Sequence, residues 1–362
     1  MQKKLIALAV ASALAAPLAA QAGVEIYGQA RMSVDFSNNN DPSATNEDSA
    51  IAVSSNRSRL GFRGDEDLGG GLKAVWQFEQ QVNFDTSTWG AARRDAFVGL
   101  NGAFGTVMVG RMITPYKIST IFKDIFISSR GDHNAILGYV NTPILSTTPG
   151  AHQVHFNNRL DNSINYMTPS SLAPFSARVA YSVNNKSDDL PMSTADSERD
   201  AFSLNGVYEH GPLFVTAAYE SLNAVTPVPG GTDDATAFKL GANYTLGGMT
   251  TLGAIWESAD RGGANGDRDA IYLSVAHKLD DAITLKAAFT MADEVGGAAN
   301  TGATHTVVGA SYAFSKTTEA YALYSTLSND SAAHYALDGL MSVPGEDVSS
   351  FSVGLNHVFS SK

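Results

Sequence analysis

Few side chains in this sequence have the types and spacing that catalysis or metal binding requires. His133, His152 and His155 lie close together among many serines, a combination that could supply a nucleophile with its base or a set of metal ligands. The D-E-D-L-G run at 65–69 begins like a calcium loop, but the later ligands of such a loop are missing. The 362 residues contain no cysteine, nucleophile elbow, H-E-x-x-H run or phosphate-binding loop. We therefore expect solvated histidines, no metal, no cofactor and no enzymatic activity.

The composition excludes several further classes of protein. Apolar residues make up 44% of the chain and charged residues 17%, which excludes global disorder. The net charge of −12 argues against nucleic acid as a partner, because phosphate recognition needs clustered lysine and arginine. Without cysteine, a disulfide scaffold and a thiolate metal site are also excluded.

The first 22 residues have the pattern of a secretory signal peptide. Two lysines at 3–4 precede an apolar stretch that ends in the small-x-small sequence Ala20-Gln21-Ala22. A membrane-anchoring helix is the alternative, which Pro17 and the alanine-rich end disfavour. We expect residues 1–22 to be cleaved and residues 23–362 to form one exported domain.

The remaining sequence alternates repeatedly between apolar and polar residues. In 24–36, the apolar residues Val24, Ile26 and Val34 occupy even-numbered positions, whereas the charged residues Glu25 and Arg31 occupy odd-numbered positions. Such period-two alternation predicts a strand with one apolar and one polar face, long enough for the roughly 9–11 residues of a tilted membrane strand. We place sixteen strands near 24–36, 51–64, 72–85, 91–101, 105–113, 152–168, 175–185, 199–210, 212–223, 235–246, 249–258, 269–279, 282–291, 303–314, 318–327 and 348–359.

The connections between these strands alternate between short and long. The short ones are turn sequences at 101–102, 210–212, 247–248, 280–281 and 315–316, and the long ones are polar stretches at 37–50, 114–151, 184–198, 224–234, 259–268, 292–302 and 328–347. An even number of strands with loop lengths segregated in this way is typical of an outer-membrane barrel with its turns on the periplasmic side. The sequence therefore predicts an all-β fold, a 16-stranded antiparallel transmembrane β-barrel, and a closed barrel of this size encloses an aqueous channel.

Several runs in the mature sequence resemble the general-diffusion porins of Gram-negative bacteria, especially the Neisseria–Burkholderia type. The runs are V-E-I-Y-G at 24–28, S-R-L-G-F-R-G-D-E-D-L-G at 58–69, G-L-K-A-V-W-Q at 71–77, A-F-V-G-L at 96–100, F-G-T-V at 104–107, N-S-I-N-Y at 162–166 and V-G-L-N-H-V-F at 353–359. The resemblance implies a homotrimeric barrel in the cell outer membrane whose third long loop folds into the pore. It also implies passage of ions and small hydrophilic solutes. The acidic charge of the other long loops separately predicts contact with divalent cations or lipopolysaccharide at the outer mouth.

The segment 114–151 is the candidate for that inserted loop. Its 38 residues exceed the length of an idle connection, since structureless loops beyond about 12–15 residues are usually functional or disordered. Its apolar residues between Ile118 and Ile127 predict packing against another part of the chain. We expect it to fold inward against the barrel wall, the alternative being a loop that lies on the outer surface.

Charged residues on the strands are expected to face the channel, because a charge on the lipid face costs about 2–4 kcal/mol at the bilayer midplane. The resemblance places wall arginines at Arg59, Arg94, Arg111 and Arg159. The alternation of side chains along the strand independently predicts that Arg59 faces the channel, because Leu60 and Phe62 then face lipid. Ordinary lumen polarity with no special arrangement is the alternative. The predicted constriction comprises Arg59, Arg94, Arg111 and Arg159 on the wall with Asp124 and Asp132 on the loop, and further lumen-facing residues are Arg57, Arg63, Arg31 and Glu25.

The expected ion preference depends on which charges dominate. The other long loops are acidic in sum, but salt screens their charges within about 8 Å at the wide outer mouth. The inserted loop carries three basic and two acidic side chains and faces the arginines, so we expect a modest anion preference. The alternatives are a substrate-specific sugar or organic-acid porin, a barrel enzyme or an adhesin. A sugar porin should present several lumen aromatics on the loop, where Tyr116, Phe122 and Phe126 are the candidates.

Overall fold

The computed structural model describes residues 23–39, 50–140, 154–183, 200–225, 233–262, 266–338, 340 and 344–361. The predicted signal peptide 1–22 lies outside these ranges, as do His152 and the greater part of several long loops. Within the described ranges, no helix has both the length and the apolar character needed to cross a membrane.

Strands dominate the described structure. They are β1 (Glu25–Asn39), β2 (Ala50–Ser55), β3 (Arg59–Gly69), β4 (Leu72–Asn83), β5 (Thr88–Gly102), β6 (Gly105–Ile113), β7 (Tyr139–Val140), β8 (Val154–His155), β9 (Arg159–Met167), β10 (Phe175–Ser182), β11 (Ala201–His210), β12 (Leu213–Val225), β13 (Asp233–Leu246), β14 (Thr250–Asp260), β15 (Asp267–Lys278), β16 (Ile283–Ala292), β17 (Ala303–Ala313), β18 (Thr318–Asn329) and β19 (Val348–Ser360). The helix α1 (Pro115–Ile121) and the 3-10 turns His133–Ala135, Ser170–Leu172 and Val295–Gly297 complete the described elements.

These strands close into an antiparallel barrel of sixteen. Neighbouring strands pair in chain order, and β1 closes the ring by pairing with β19 in a register that runs from Tyr27 opposite Ser360 to Asn39 opposite Val348. On its other side β1 pairs with both β2 and β3, which therefore form one strand of the ring with a break between them. The predicted 16-stranded fold is confirmed.

Two predicted strands differ from those observed. The strand placed at 51–64 is interrupted near Arg57, whose φ of 56° takes the chain out of the extended conformation. The strand placed at 152–168 begins only at Arg159, because Val154 and His155 pair instead with Val140 and Tyr139 in a separate two-stranded sheet. Alternation alone could not show either break, since both short pieces keep the period-two pattern.

The barrel reverses the usual distribution of polar and apolar side chains. On β1, Val34 and Phe36 are 39% and 46% exposed, whereas Ser33 and Asp35 are 3% and 0% exposed. This arrangement follows from the strand period, which sends alternate side chains to opposite faces of the wall. The apolar face is directed outward and the polar face is directed into the barrel, as a membrane-spanning barrel with an aqueous interior requires.

The short turns lie at one end of the barrel and require unusual backbone conformations. Gly247 and Gly248, between β13 and β14, have φ values of 56° and 73°. Glycine adopts this left-handed region without the steric cost that a side chain adds. The two strands can therefore reverse direction in a minimal connection, as predicted for the periplasmic end.

Candidate functional site

The segment after β6 begins with a helix that is anchored to one wall of the barrel. Thr114 caps α1 by accepting a hydrogen bond from the Lys117 backbone N–H at 3.0 Å, and Pro115 suits the first turn because its missing N–H would have no helical partner. Helix α1 packs on β11 and β12. The Asn205 amide on β11 donates to the Pro115 carbonyl at 2.9 Å. The start of the segment is thereby fixed to these strands.

A buried group of charges extends this anchorage to β13, β14 and β15. The Tyr116 hydroxyl donates to Glu257 at 2.8 Å, and the Gly138 N–H donates to the same carboxylate at 2.7 Å. Lys239 Nζ and Arg268 Nη2 lie 3.4 Å and 2.5 Å from the Glu257 oxygens. All of these side chains are buried, and buried charges are tolerated only when they are paired and hydrogen-bonded. Glu257 therefore fixes both ends of the stretch from Tyr116 to Gly138.

The middle of the segment is attached to a different wall. Arg130 pairs with Asp35 on β1 at 3.2 Å, donates to Ser54 on β2 at 3.1 Å, and also donates to the Asp338 carbonyl. Ser325 on β18 donates to the Arg130 carbonyl at 3.0 Å. Counted through the strand pairings from β3 to β11, β1 stands eight strands away from β12, halfway around a barrel of sixteen. The segment thus connects two opposite walls.

Asp124 and Asp132 lie inside this segment and stabilise its backbone. Asp124 is 4% exposed and accepts hydrogen bonds from the backbone N–H groups of Phe126 and His133 and from the Tyr272 hydroxyl. Asp132 is 1% exposed, caps the short turn at Asn134 and pairs with Arg57 at 3.2 Å. The expectation that these two carboxylates face the channel differs from their observed place, because their oxygens are occupied by backbone N–H groups of the loop and by Tyr272 and Arg57.

The surroundings shift the pKa values of this group in different directions. Burial, followed by the charge of Asp132, raises the pKa of Asp124 well above its usual range. Burial also opposes ionisation of Asp132, but the Arg57 guanidinium and hydrogen bonds from the backbone hold its pKa below the usual range. Burial lowers the pKa of His133 to about 4. At neutral pH Asp132 is therefore charged and His133 is neutral.

The two described histidines of the group, His133 and His155, occupy separate packed environments. His133 is buried against the Tyr272 ring with centroids 5.4 Å apart, so the expectation of a solvated side chain is wrong for this residue. His155 stacks on Tyr139 at 3.9 Å, and His152 lies outside the described residues. Ligand atoms of Asp124, Asp132 and His133 come within 4.8 Å of one another. The adjacent Arg57 and the hydrogen bonds already made by the carboxylates disfavour a metal ion there.

The predicted wall arginines come together in a paired array on five consecutive strands of the ring. Arg59 and Arg94 both pair with Glu79, the first at 3.2 Å. Arg111 and Arg93 both pair with Asp161, at 2.6 Å and 3.2 Å, and Arg159 pairs with Asp95 at 2.6 Å. We refer to these side chains as the arginine array, which comprises Arg59, Arg93, Arg94, Arg111 and Arg159 with Glu79, Asp95 and Asp161. Five cations against three carboxylates leave an excess of two positive charges in this described set.

Sequence reasoning missed Glu79, Asp95 and Arg93 as members of the array. Glu79 alternates with the apolar residues of β4, so strand alternation could have identified it as facing the lumen. Asp95 directly follows Arg94, and alternation would have placed the two on opposite faces; the register of β4 and β5 is irregular at this point. The pairing itself depends on cross-strand register, which the sequence does not display. In β3 and β4, for example, Arg59 stands opposite Gln81, so its ion pair with Glu79 is diagonal.

The remaining predicted lumen residues have separate roles. Arg31 donates to the Ile127 carbonyl at 2.9 Å, and Arg57 bridges Asp132 and Asp338. Both therefore hold the inner segment. Arg63 forms a bidentate pair with Glu25 at 2.8 Å and 2.9 Å, at the end of the barrel that carries the short turns. Arg63 and Glu25 are thus paired with each other, apart from the arginine array.

The aromatic residues of the segment do not form a continuous exposed row. Tyr116 and Phe126 are buried, whereas Phe122 is 66% exposed. A sugar-selective channel needs several aromatic faces along the path of the solute. One exposed ring does not provide such a path.

Comparison with known proteins yields both sequence and structural matches. A family model described as "Gram-negative porin" matches residues 7–332. Major outer membrane protein P.IB of Neisseria meningitidis serogroup B is 39% identical over 120 residues, a stretch that covers 32% of this chain and only 35% of that relative. Outer membrane porin protein 32 of Delftia acidovorans is 28% identical over 99% of this chain and 100% of that protein. The solved structure of an anion-selective porin from Comamonas acidovorans superposes with a TM-score of 0.77 at 24% identity, over 94% of this chain and 100% of that one.

Proposed function

Because this chain belongs to the Gram-negative porin family and forms an outer-membrane β-barrel, we propose that it is a passive diffusion channel for ions and small hydrophilic solutes. The observation that carries this proposal is the polar, charged interior of a closed barrel of sixteen strands, which is wide enough to hold an aqueous path. The related proteins are named as porins and outer-membrane proteins rather than enzymes. Passive diffusion needs no further chemistry from the chain.

The inner segment from Thr114 to Val140 is proposed to narrow this path. Its contacts with β11–β15 on one side and with β1 on the other support this role, since a segment anchored to opposite walls reduces the open cross-section. The opening that remains lies beside the arginine array. Solutes would therefore pass between the segment and the arginines.

The proposed channel has a modest preference for anions. The arginine array carries two more positive than negative charges, and the field of such a group is strongest where the passage is narrow. Lys117 contributes less to this field, because burial and then the neighbouring Arg159 lower its pKa well below the usual value. The anion-selective porin of Comamonas acidovorans, which shares the fold, gives further support.

Assembly and export complete the proposal. We propose a homotrimer, following the resemblance of the sequence to trimeric porins, and cleavage after residue 22. Native mass measurement in mild detergent should give three copies of a chain that begins at Gly23. A monomer, or a chain that retains residues 1–22, would contradict these two points.

Size-graded neutral sugars test the channel function directly. Liposomes that contain the purified protein should swell in small sugars at rates that fall continuously with solute size, without saturation. Saturable uptake of one sugar would favour a substrate-specific porin instead. Liposomes that remain impermeable to all of the sugars would refute the channel itself.

A further inference from the structure

A small cavity lies between the inner segment and the wall of the barrel opposite α1. Residues 125–129 of the segment form one side, strands β16–β19 and β1 form the other, and the volume is about 90 Å³. Three lining residues, Lys286, Glu319 and Asn356, come from the ends of β16, β18 and β19 nearest the short turns. The cavity therefore lies on the periplasmic side of the segment. Its lining includes no residue of the arginine array.

Polar atoms with no partner line this cavity. Arg31 and Asn356 stand directly opposite each other on β1 and β19. The Arg31 Nε donor and the Asn356 Oδ1 acceptor are both buried and make no hydrogen bond within the described structure. An unsatisfied buried polar atom costs about 1–3 kcal/mol, so a molecule that pairs with both atoms is favoured there.

Two charged side chains of opposite sign stand beside these atoms. Glu319 is the cross-strand neighbour of Asn356 on β18. Lys286 Nζ lies 3.9 Å from the Glu319 carboxylate, at the outer limit of an ion pair and beyond hydrogen-bonding distance. Both groups therefore retain donor and acceptor capacity for a third molecule. The apolar side of the cavity is formed by Ile125 and Leu323.

We propose that this cavity is a binding site for small zwitterionic amino acids as they pass through the channel. The carboxylate of the solute would pair with Arg31 and Lys286, and its ammonium group with Glu319 and the Asn356 carbonyl. A simple anion would leave Glu319 unsatisfied, and a simple cation would face two positive side chains. A zwitterion with a short apolar side chain is complementary to all of these groups and to the apolar side.

The inference rests on the proposed channel function, because a solute reaches the cavity from the lumen. Binding can nevertheless be measured without transport, by saturation-transfer NMR on the full-length protein in detergent. L-alanine is the probe, with lactate as the carboxylate-only control and ethylammonium as the ammonium-only control. Alanine should bind at least about tenfold more tightly than either control, since each control lacks one charge-assisted contact.

Two variants and one matched control locate the site. Lys286→Met and Glu319→Gln should each weaken alanine binding about tenfold. Lys316→Met removes an exposed lysine from a short turn at the same end of the barrel and should leave binding unchanged. Gel mobility before and after heating reports whether each variant has folded. The comparison of alanine, lactate and ethylammonium binding uses the wild-type protein and therefore does not depend on the folding of any variant.

Several results would overturn the proposal. Equal binding of lactate and alanine would mean that the cavity recognises carboxylates alone. Absence of alanine binding, or equal alanine binding in wild type and both folded variants, would exclude the site. If alanine binds as expected but the liposomes of the sugar experiment remain impermeable, the site stands and the channel function fails.

Discussion

Replacing Glu79 by glutamine should increase the anion preference of the channel. Glu79 pairs with Arg59 and Arg94 and also accepts a hydrogen bond from the Tyr27 hydroxyl at 3.0 Å. Glutamine keeps the size of the side chain and one acceptor oxygen for the two guanidinium groups. The excess positive charge of the arginine array then rises from two to three.

The size of the effect follows from Coulomb's law. At about 5 Å from the removed charge, an ion in water gains or loses about 0.8 kcal/mol, which is roughly a fourfold change in its local concentration. Ions more distant from the wall experience less of this change, because the Debye length is about 10 Å at 0.1 M salt. We therefore expect the ratio of anion to cation permeability to rise roughly twofold at 0.1 M salt.

The zero-current potential in planar bilayers measures this ratio. Glu294→Gln, a substitution of an exposed glutamate outside the strands, is the matched control and should leave the potential unchanged. A shift of Glu79→Gln towards cation preference, or no shift beyond that of the control, would refute the assignment of the arginine array to the ion path.

Two further predictions concern the inner segment. Replacing residues 118–138 by a short flexible linker should raise single-channel conductance roughly twofold or more and raise the size limit for sugars, because the passage then loses its narrowest part; unchanged conductance in a folded trimer would contradict this. Acidification below pH 6.5 should loosen the segment, since a histidine whose pKa falls from 6.5 to about 4 on folding contributes stability that is complete above pH 6.5 and is lost as the pH falls towards 4. Current noise should therefore rise over this range in wild type and rise less in His133→Asn. The variant is needed as a reference because the raised pKa of Asp124 stabilises the segment as the pH falls.

The strands and their faces could be predicted from the sequence because a single physical rule determines them. Every spanning strand must present apolar side chains to lipid, so period-two alternation marks both the strand and its outward face. Alternation therefore placed Arg59 on a polar face, whereas the group of Arg59, Arg94, Arg111 and Arg159 came from the resemblance to porins. The rule does not apply where the chain leaves the wall, which is why the break at Arg57 and the short pair of Tyr139–Val140 with Val154–His155 were not predicted.

The partners of the charged residues could not be predicted, because they depend on register and on the course of the inner segment. Lys239 stands directly opposite Glu257 across β13 and β14, a pairing that is evident only once the strands are aligned. Asp124 and Asp132 were assigned to the channel because they are the acidic residues of the loop. Their observed role follows from backbone N–H groups in the tight turns at 126–134, which have no partners within strands and require nearby acceptors.

The zero-current potential of the wild-type protein across a KCl gradient near 1 M is the most direct test of the account. At this concentration the Debye length is about 3 Å, so the acidic outer loops are screened and the selectivity reports the narrow passage beside the arginine array. The excess of arginine over carboxylate predicts that chloride is more permeant than potassium. The zero-current potential should have the sign that a chloride-preferring channel produces. A potential of the opposite sign at 1 M salt would show that the paired carboxylates, and not the arginines, govern the passage.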